Sequence, residues 1–337
     1  MLILGIDTSC DDTSAAVVKD GTVILSNVVS SQAEIHKRYG GIVPELASRR
    51  HTENIIPVVE EALRGAGTTF KGIDAIAVCF GPGLIGSLLI GCCFVKSLAY
   101  ALNRPVVTVN HLEGHIYSAF LSDISPQFPF LSLVVSGGHT SLFCIEGHGI
   151  YKELGKTRDD AAGEAYDKFS KMLGLGYPGG PIIDKLAREG NKDAFKLPKP
   201  LLPDCLDFSF SGLKTYVKNT VNKLKAGNEL TDTTVRDLAA SFQTVIVEVL
   251  VTKLLWAVKD TGVCRVSLSG GVAANDELRN RLLEVQRTDG LEVFLPPKAL
   301  CTDNGAMIAA AAYQRFIKGE VAGLDFNPRA YMPLTQV

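Results

Sequence analysis

The sequence predicts an α/β protein with mixed sheets, and three observations support this class. Short apolar runs such as Leu2–Ile6 and Phe130–Val135 are each followed by a small polar turn and a second apolar run. Other apolar runs alternate with longer helical segments, and glycine pairs follow several of the predicted strands. Strands that alternate with both helices and hairpins are typical of α/β proteins with parallel and antiparallel strand pairs.

The amino-terminal part of the chain is expected to contain strands, tight turns and one long apolar helix. A hairpin is expected at Gly21, because glycine tolerates the backbone angles of a tight turn. Residues 83–102 are glycine-rich and include Lys96, which favours a packed helix over a membrane span. The predicted elements are strands at Leu2–Ile6, Ser14–Val18, Val23–Val28, Ile73–Cys79 and Val106–Val109, and a helix at Leu84–Leu102.

The rest of the chain repeats the opening strand–turn–strand order, which predicts two similar domains. Three prolines in residues 191–211 predict a loop or insertion there. The remaining predicted elements are strands at Phe130–Val135, Ser141–Ile145 and Arg265–Leu268, and helices at Asp276–Val285 and Ala306–Phe316.

Length and composition predict a soluble protein of two domains. The chain has 337 residues, of which 46% are hydrophobic and 21% charged. Its net charge of −2 excludes a global positive field, so any contact with nucleic acid requires a local patch or a partner protein. The eight cysteines form no CxxC pair, which favours reduced thiols in a cytosol. No basic region precedes the first apolar run, which therefore predicts a strand rather than a signal peptide.

His111 and His115 are the most distinctive pair of side chains. Residues four apart on a helix project from one face, so the two imidazoles can bind one metal ion. Glu113 points away from that face, and the acid–base geometry of helical metalloproteases is therefore absent. Asp303 precedes a predicted helix, where it is either the N-cap or a third metal ligand. Two histidines and one carboxylate suit iron or zinc.

Three glycine-rich turns predict a site for an anionic group. Ser136-Gly137-Gly138 and Ser269-Gly270-Gly271 follow strands, and residues 174–181 contain a third cluster. Glycine lets backbone N–H groups approach an anion, and a helix N-terminus favours negative charge. Each of these glycine-rich turns alone is also common in β-hairpins without a ligand. Together the three turns suggest a nucleotide clamp between two lobes. The P-loop motif is absent from the sequence, and no G-x-G-x-x-G opens a helix after the first strand, which argues against a Rossmann dinucleotide site.

Three carboxylates, Asp7, Asp11 and Asp12, crowd the first turn. Their neighbours are small, which predicts a solvated edge of an active site. A solvated hairpin without a catalytic role explains the same pattern, and both interpretations stay open at this point.

Ten short blocks, in one order over nearly the whole chain, make the sequence similar to a known family. The blocks are Leu4–Thr13, Tyr39–Arg49, Gly81–Leu84, His111–His115, Val135–Thr140, Asp159–Lys168, Tyr177–Pro181, Phe208–Lys214, Gly270–Asn275 and Cys301–Ala306. On these blocks the chain resembles the TsaD family, once labelled Gcp or YgjD. Family members commonly have Glu where this chain has Asp7 and Asp12, so each of these carboxylates is one methylene shorter here.

The resemblance implies an actin-like fold of the sugar-kinase and Hsp70 type, with two related lobes. We expect lobes at residues 1–115 and 116–302, the second with an insertion around 160–215. Residues 303–337 are expected to form a helix and tail that pack back between or onto the lobes. The implied reaction moves an L-threonylcarbamoyl group from threonylcarbamoyl-adenylate to N6 of adenosine 37 in tRNAs that read ANN codons. It forms t6A and releases AMP in the cytoplasm.

The resemblance also implies roles for particular residues and partners. One iron ion per subunit, with zinc as the alternative, is expected on His111, His115 and Asp303, and Asp11 is the acidic residue nearest the chemistry. The expected partners are tRNA, a TsaB-like paralogue and a TsaE-like ATPase, without a membrane. The residues expected to hold the adenylate are Val134, Val135, Ser136, Gly137, Gly138, Asp167, Gly180, Asp184 and Asn275.

Two surfaces are candidate sites for macromolecular partners. The predicted helix Leu84–Leu102 is apolar and is a candidate face for the TsaB-like paralogue. A local basic rim is a candidate for tRNA, although each of its members alone fits a solvated surface charge. The rim consists of Arg49, Arg50, His51, Lys168 and Lys171.

Two other classes of function fit parts of the sequence. A small-molecule kinase of the same fold would use Mg²⁺ held by phosphates and carboxylates, so the paired histidines argue against it. A non-catalytic scaffold would not need His111, His115 and Asp303 together. The old assignment of the family as a glycoprotease is weakened by the placement of Glu113.

Overall fold

The computed structural model describes residues 1–334, and packing divides the chain into two compact units. Unit 1 comprises Met1–Pro126, His148–Ile150 and the chain from Pro296 onward, and unit 2 comprises Gln127–Gly147 and Tyr151–Leu295. Residues 116–126 and 296–302, which the sequence assigned to the second lobe, pack in unit 1. The lobe boundaries themselves stay a prediction.

The strands and helices expected from the sequence are present, most of them with slightly different ends. In chain order the elements are β1 (Leu2–Asp7), β2 (Asp12–Lys19), β3 (Val23–Ser31), α1 (Ala33–Lys37), α2 (Pro44–Gly65), β4 (Ala75–Gly81), α3 (Ile85–Leu102), β5 (Val106–Asn110), α4 (His111–Tyr117), β6 (Phe130–Val135), β7 (Thr140–Gly147), β8 (Ile150–Lys156), α5 (Ala162–Leu173), α6 (Gly179–Ala187), α7 (Ser211–Ala226), α8 (Asp232–Thr261), β9 (Arg265–Ser269), α9 (Asp276–Asp289), β10 (Glu292–Phe294) and α10 (Gly305–Ile317).

Unit 1 contains a five-stranded mixed sheet in the order β3-β2-β1-β4-β5. β1 pairs antiparallel with β2 and parallel with β4, which in turn pairs parallel with β5. The central strands are almost entirely buried, as expected for continuous apolar runs covered on both faces. One face packs against α2 and α3, and Leu4 and Ile6 belong to that core.

Helix α10 covers the other face of this sheet, where two glycines permit a close approach. Gly5 alternates with Leu4 and Ile6 along β1, so it faces the opposite side. A Cβ on Gly5 would lie 2.2 Å from the carbonyl oxygen of Gly305, and one on Gly305 would lie 2.5 Å from the backbone nitrogen of Ala16. The first turn of α10 therefore lies directly on β1 and β2. This contact fixes the position of the turn that precedes α10.

Unit 2 repeats the strand arrangement of unit 1. Its sheet has the order β10-β9-β6-β7-β8. β6 pairs antiparallel with β7 and parallel with β9, which pairs parallel with β10. β6, β7, β9 and β10 thus occupy the places, and take the directions, of β1, β2, β4 and β5. The predicted α/β class with mixed sheets and two similar openings is confirmed.

The helices of unit 2 form a layered pack around α8. α6 packs on α5 and α8, α7 packs on α5, and α9 packs on α8. The predicted loop at residues 191–211 is confirmed as far as Phe210, because α7 begins at Ser211. α3 and α8 are both long and apolar enough to cross a membrane, with 33% and 78% of their apolar windows buried. α8 is thus a core helix, whereas α3 exposes part of its apolar surface.

Candidate functional site

The histidine pair lies in the first two turns of α4, directly after β5. The side chain of Asn110 accepts a hydrogen bond from the N–H of Leu112 at 2.8 Å, which caps the helix. The ring centroids of His111 and His115 are 4.6 Å apart, and both side chains are buried. The predicted arrangement on one helical face is confirmed. Glu113 instead pairs with Arg315 of α10 at 3.1 Å, as expected for a residue off that face.

Asp303 brings its carboxylate to both histidines. Its Oδ1 lies 3.3 Å from His115 Nε2 and 3.6 Å from His111 Nε2. The N-cap of α10 is Asn304, whose side chain accepts a hydrogen bond from the N–H of Met307 at 3.0 Å. The N-cap interpretation of Asp303 is therefore wrong. The neighbouring amide caps the helix, and the carboxylate faces α4.

The nitrogens of His115 are suited to metal binding. The residue is fully buried, its Nδ1 has no hydrogen-bond partner within residues 1–334, and its Nε2 faces the Asp303 carboxylate at 3.3 Å. Burying an imidazole beside a carboxylate, with one ring nitrogen unpaired, costs free energy, which coordination to a metal would offset. Ligand atoms of His111, His115 and Asp303 lie within 4.8 Å of one another. The cluster is consistent with one metal ion, and its ligand types suit iron and zinc alike.

Asp7 and Ser9 hold His111 on the side away from Asp303. Ser9 Oγ lies 3.1 Å and Asp7 Oδ2 3.5 Å from His111 Nδ1. The N–H of Ser9 donates to Asp7 Oδ1 at 2.8 Å. Contacts of this kind orient an imidazole so that its other nitrogen can bind a metal. Asp7 is fully buried, so the expectation of a solvated edge is wrong for this residue.

Cys79 is a neighbour that the sequence did not reveal. Its Sγ forms a second close group with Asp7 and His111. Burial, followed by the charge of Asp7, raises the pKa of the thiol well above its usual value, which keeps the sulfur protonated. Only the pairing of β4 with β1 places Cys79 there, and that pairing has no local sequence signal.

The charges of the cluster depend on one another. Burial alone would lower the pKa of His111, but Asp303 and Asp7 outweigh it and raise the pKa to about 9. Burial and the charge of His111 lower the pKa of His115. The metal-free cluster therefore carries its proton on His111. A divalent cation bound there would replace this proton as the counter-charge to the two carboxylates.

Asp11 and Asp12 lie at the turn between β1 and β2, and both are partly buried. Burial, followed by the charge of Asp303, raises the pKa of Asp11. Burial, followed by the charge of Asp11, raises the pKa of Asp12 to about 7. A carboxylate with a raised pKa accepts a proton more readily near neutral pH, which is what a general base requires.

His51 is not a member of a basic rim, and that prediction is wrong. The side chain is fully buried, since α2 packs against β2. Its Nε2 lies 3.0 Å from the carbonyl oxygen of Cys10, which can only accept, so Nε2 carries the hydrogen. The hydroxyl of Thr13 then donates to Nδ1 at 2.7 Å. Burial lowers the pKa of His51, in agreement with this neutral form.

The other predicted rim cations are mostly paired with carboxylates. Arg49 and Arg50 are exposed, but each forms an ion pair with a glutamate on α2. Lys168 pairs with Asp160 and with a glutamate one turn earlier on α5. Lys171 is exposed and, among the described residues, forms no ion pair.

In unit 2, the turn after β6 is locked to the start of α5. The N–H of Ser136 donates to the carbonyl of His139 at 2.7 Å, and the N–H of Gly163 donates to the carbonyl of Ser136 at 3.2 Å. A Cβ on Gly163 would lie 2.5 Å from that same carbonyl oxygen. The start of α5 thus lies directly on the Ser136–Gly138 turn.

The other residues expected to hold the adenylate continue from this turn. Asp167 of α5 accepts a hydrogen bond from the N–H of Gly179 at 2.7 Å, beside Gly180 at the start of α6. Asp184 of α6 accepts one from the side chain of Asn275 at 3.1 Å.

Gly270 completes a closed series of contacts among these segments, which we call the circuit. It has a φ of +90°, and a Cβ there would lie 2.4 Å from the carbonyl oxygen of Val135. All nine residues that are expected to hold the adenylate therefore belong to four segments of unit 2, and each segment contacts the next.

One side of this circuit is open and rich in backbone donors. A Cβ at Gly137, Gly138, Gly180 or Gly271 would meet no described atom within 4 Å. Neither α5 nor α6 has a side-chain cap from its own N-cap residue. The N–H groups of Ala162, Gly163 and Gly179 at these helix starts already donate to Thr140, Ser136 and Asp167. The open glycine turns, rather than the helix starts, therefore form a cradle for a phosphate.

Two polar side chains that support the circuit were not predicted. Gln243 accepts a hydrogen bond from Asn275 at 2.8 Å. Arg188 pairs with Asp184 at 2.8 Å and with Asp276 at 2.5 Å. A sequence signal did exist for Gln243, because it is a single amide inside the apolar run of α8.

Comparison with known sequences gives matches over nearly the full length of the chain. The family model described as TsaD, tRNA N6-adenosine threonylcarbamoyltransferase, matches residues 23–310. The protein of that name from Thermodesulfovibrio yellowstonii is 60% identical and covers 99% of this chain and 100% of its own length. The one from Clostridioides difficile is 50% identical and covers 100% and 99%.

Solved structures with little sequence identity share the fold. HypF of T. kodakarensis has a TM-score of 0.60 at 14% identity and covers 95% of this chain and 48% of its own. Component A of the (R)-2-hydroxyglutaryl-CoA dehydratase of Acidaminococcus fermentans has a TM-score of 0.53 at 15% identity and covers 94% and 98%. These likenesses confirm the expected two-lobed α/β fold of actin-like proteins.

Proposed function

Because this chain belongs to the TsaD family of tRNA N6-adenosine threonylcarbamoyltransferases, we propose that it takes the L-threonylcarbamoyl group from threonylcarbamoyl-adenylate and transfers it to N6 of adenosine 37. The chain is an acyltransferase that modifies tRNA. The proposal adds the adenylate as donor, AMP as leaving group and tRNAs that read ANN codons as acceptors. The observation that carries it is the His111–His115–Asp303 cluster, in which one carboxylate oxygen lies within 3.6 Å of the Nε2 atoms of two buried histidines.

The adenylate is proposed to bind to the circuit in unit 2. Its phosphate would lie against Ser136 and the open glycines Gly137, Gly138 and Gly180, where backbone N–H groups stabilise negative charge. Val134 and Val135 end the buried strand that leads into this turn. Asp167, Gly180, Asp184 and Asn275 line the neighbouring segments and are the proposed contacts for the nucleoside. Hydrogen bonds already fix three of these side chains, so little ordering is needed on binding.

The proposed ligands of the metal ion are His111, His115 and Asp303. A bound iron or zinc ion would act as a Lewis acid that polarises an oxygen of the donor. The chain itself supplies the orientation of the ligands. Ser9 and Asp7 hold His111 by its Nδ1, and the cap of α10 on Asn304 leaves Asp303 directed at both imidazoles.

Asp11 is the proposed general base. The exocyclic amine of adenosine attacks the carbamoyl carbon, so a new N–C bond forms while the C–O bond to the phosphate breaks. AMP leaves with the electron pair of that bond, and Asp11 accepts the proton that the amine loses. Its raised pKa, caused by burial and Asp303, favours this transfer near neutral pH.

The proposed partners follow from the family and from the weak charge of the chain. A net charge of −2 gives no general attraction to tRNA, so auxiliary proteins are expected to help hold it. We assign this help to a TsaB-like paralogue, with the exposed apolar side of α3 as its contact, and to a TsaE-like ATPase. The proposed location of the reaction is the cytoplasm.

A reconstituted assay tests the proposal. The chain, its two partners, threonylcarbamoyl-adenylate and unmodified tRNA are incubated, and t6A and AMP are quantified by mass spectrometry. We expect one AMP for each t6A, a loss of at least a hundredfold in kcat for His115→Ala and Asp303→Ala, and a similar loss for Asp11→Asn. His148→Ala is the matched control, because His148 lies in unit 1 but outside the cluster.

The outcomes separate the parts of the proposal. Wild-type rates in His115→Ala and Asp303→Ala would show that the cluster has no role in catalysis. Release of AMP without t6A would show that water, rather than tRNA, is the acceptor. Transfer of labelled phosphate from ATP to a sugar would instead identify a small-molecule kinase.

A further inference from the structure

Helix α7 is unusually basic for a chain with a slightly negative charge. Its sixteen residues include Lys214, Lys218, Lys223 and Lys225 and no aspartate or glutamate. The whole chain has a net charge of −2. The positive charge of the protein is therefore concentrated locally, and α7 is one place where it collects.

Three of the four lysines share one face of α7. Spacings of four and seven residues return to the same side of a helix, so Lys214, Lys218 and Lys225 lie along one line. Lys223 is five residues beyond Lys218 and points away from that line. The face is directed towards α5, because Lys214 pairs with Asp160 and Lys225 donates to the carbonyl of Met172 at 2.9 Å.

Helix α5 adds two more lysines beside this face. Lys168 and Lys171 are three residues apart, and Lys171 precedes the residue that Lys225 contacts. We call Lys168, Lys171, Lys214, Lys218 and Lys225 the α5–α7 edge.

The α5–α7 edge keeps a net positive charge after its ion pairs are counted. Asp160 and Glu164 pair with Lys168, and Asp160 also pairs with Lys214. Five lysines against two carboxylates leave three positive charges. Lys171 and Lys218 are exposed and form no ion pair with any residue that the structure describes.

We infer that the α5–α7 edge binds the ribose-phosphate backbone of tRNA. This inference rests on the proposed function for the identity of the polyanion. From Lys214 to Lys225 the edge runs for about 16 Å along α7, a length that covers several phosphates of one strand. Lysines bind phosphates as point charges without reading bases, which suits an enzyme that modifies several tRNAs. The edge replaces the rim expected from the sequence and retains two of its members, Lys168 and Lys171.

Charge reversal with a control on the same helix tests the inference. Affinity for unmodified tRNA is measured by fluorescence anisotropy at several salt concentrations, for the full chain alone and with its partners. We expect Lys218→Glu and Lys171→Glu each to weaken binding at least fivefold near 0.15 M salt, the effect of one lost phosphate contact. Each should also make the salt dependence shallower by about one unit of slope. The control Lys223→Glu changes the same charge on another face of α7 and should stay within twofold of wild type.

Other results would overturn the inference. Wild-type affinity in both edge variants would show that tRNA binds elsewhere, and an equal loss in Lys223→Glu would show a non-specific effect of total charge. Binding to vesicles that contain phosphatidylserine, lost in the edge variants while tRNA binding persists, would assign the edge to a lipid surface. Failure of the proposed function is distinguishable, because the wild-type chain would then bind tRNA without forming t6A.

Discussion

At the scale of single residues, His51 shows how a buried side chain positions a catalytic turn without touching the substrate. It donates to the carbonyl of Cys10 and accepts from the hydroxyl of Thr13, and these two residues flank Asp11 and Asp12. Both hydrogen bonds need a neutral imidazole in one tautomer, which burial favours. The imidazole thus ties both ends of the turn to α2.

We expect His51→Ala to lower kcat roughly a hundredfold, because a shift of about 1 Å in a catalytic group has that effect. KM for tRNA should change little. His51→Gln can still donate to the carbonyl of Cys10 and should recover part of the rate. Steady-state kinetics with urea unfolding separate this effect from general instability, and an unchanged kcat in a folded His51→Ala variant would rule out the positioning role.

Asp12 predicts a dependence of stability on pH. Its pKa is raised from 3.8 to about 7 by burial and by Asp11. Between these pH values the folded chain holds a proton that the unfolded chain releases, so stability falls as pH rises. The shift corresponds to at most about 4 kcal/mol, and solvent screening reduces this to roughly 2 kcal/mol.

We expect Asp12→Asn to stabilise the metal-free chain by roughly 2 kcal/mol at pH 8 and by a clearly smaller amount at pH 5, where only part of the penalty has developed. Urea unfolding at both pH values, with a chelator present, measures the difference. Asp123→Asn removes an exposed carboxylate and serves as the control. An equal effect of Asp12→Asn at both pH values would contradict a raised pKa at this position.

At the scale of elements, the contact of α10 with β1 holds Asp303 in place. Gly5 and Gly305 each leave no room for a Cβ, because the nearest atoms belong to the facing backbone. Backbone cannot rotate out of the way as a side chain can, so any larger residue separates the two elements. Asp303 lies two residues before α10 and would move with it.

We therefore expect Gly5→Ala to destabilise the fold by about 2 kcal/mol and to lower metal content. Gly212→Ala is the matched control, since a Cβ there meets no described atom within 4 Å and alanine favours the helix. Urea unfolding and metal analysis of both variants provide the test. A Gly5→Ala variant as stable as wild type, with full metal content, would show that α10 can shift without moving Asp303.

At the scale of the whole molecule, periodic patterns made the fold predictable. The buried strands and the repeated strand–turn–strand order were readable because alternation and apolar runs are local properties. The His111–His115 pair was predictable for the same reason, since helical spacing places both on one face. The position of Asp303 before a helix left two interpretations open, an N-cap and a third metal ligand, and the resemblance to a family favoured the ligand.

Long-range packing accounts for what the sequence did not reveal. Cys79 reaches His111 through the pairing of β4 with β1, and His51 is buried because α2 covers β2. The cap of α10 depended on whether Asp303 or Asn304 turned inward, and both residue types are good N-caps. The ion pairs of Asp160 with Lys168 and Lys214 determine which lysines of the α5–α7 edge keep a positive charge without a paired carboxylate. None of these relations has a signature within one segment of sequence.

The cluster in unit 1 also predicts that metal stabilises the chain as a whole. An ion that binds only the folded state adds about 2.7 kcal/mol to the free energy of unfolding at one hundred times its Kd. Without a metal, the carboxylates of Asp303 and Asp7 are buried beside the two imidazoles with one proton as counter-charge, which makes the metal-free state the less stable one. We expect a chelator to lower Tm in wild type and in His148→Ala. His115→Ala and Asp303→Ala should unfold at temperatures that do not depend on the chelator.

Differential scanning fluorimetry, with iron or zinc restored in separate samples under anaerobic conditions, measures these differences and identifies the ion that restores Tm more fully. A chelator that removes the bound metal without changing wild-type Tm would show that the cluster is stable without an ion, and the assignment of its three ligands would then be lost.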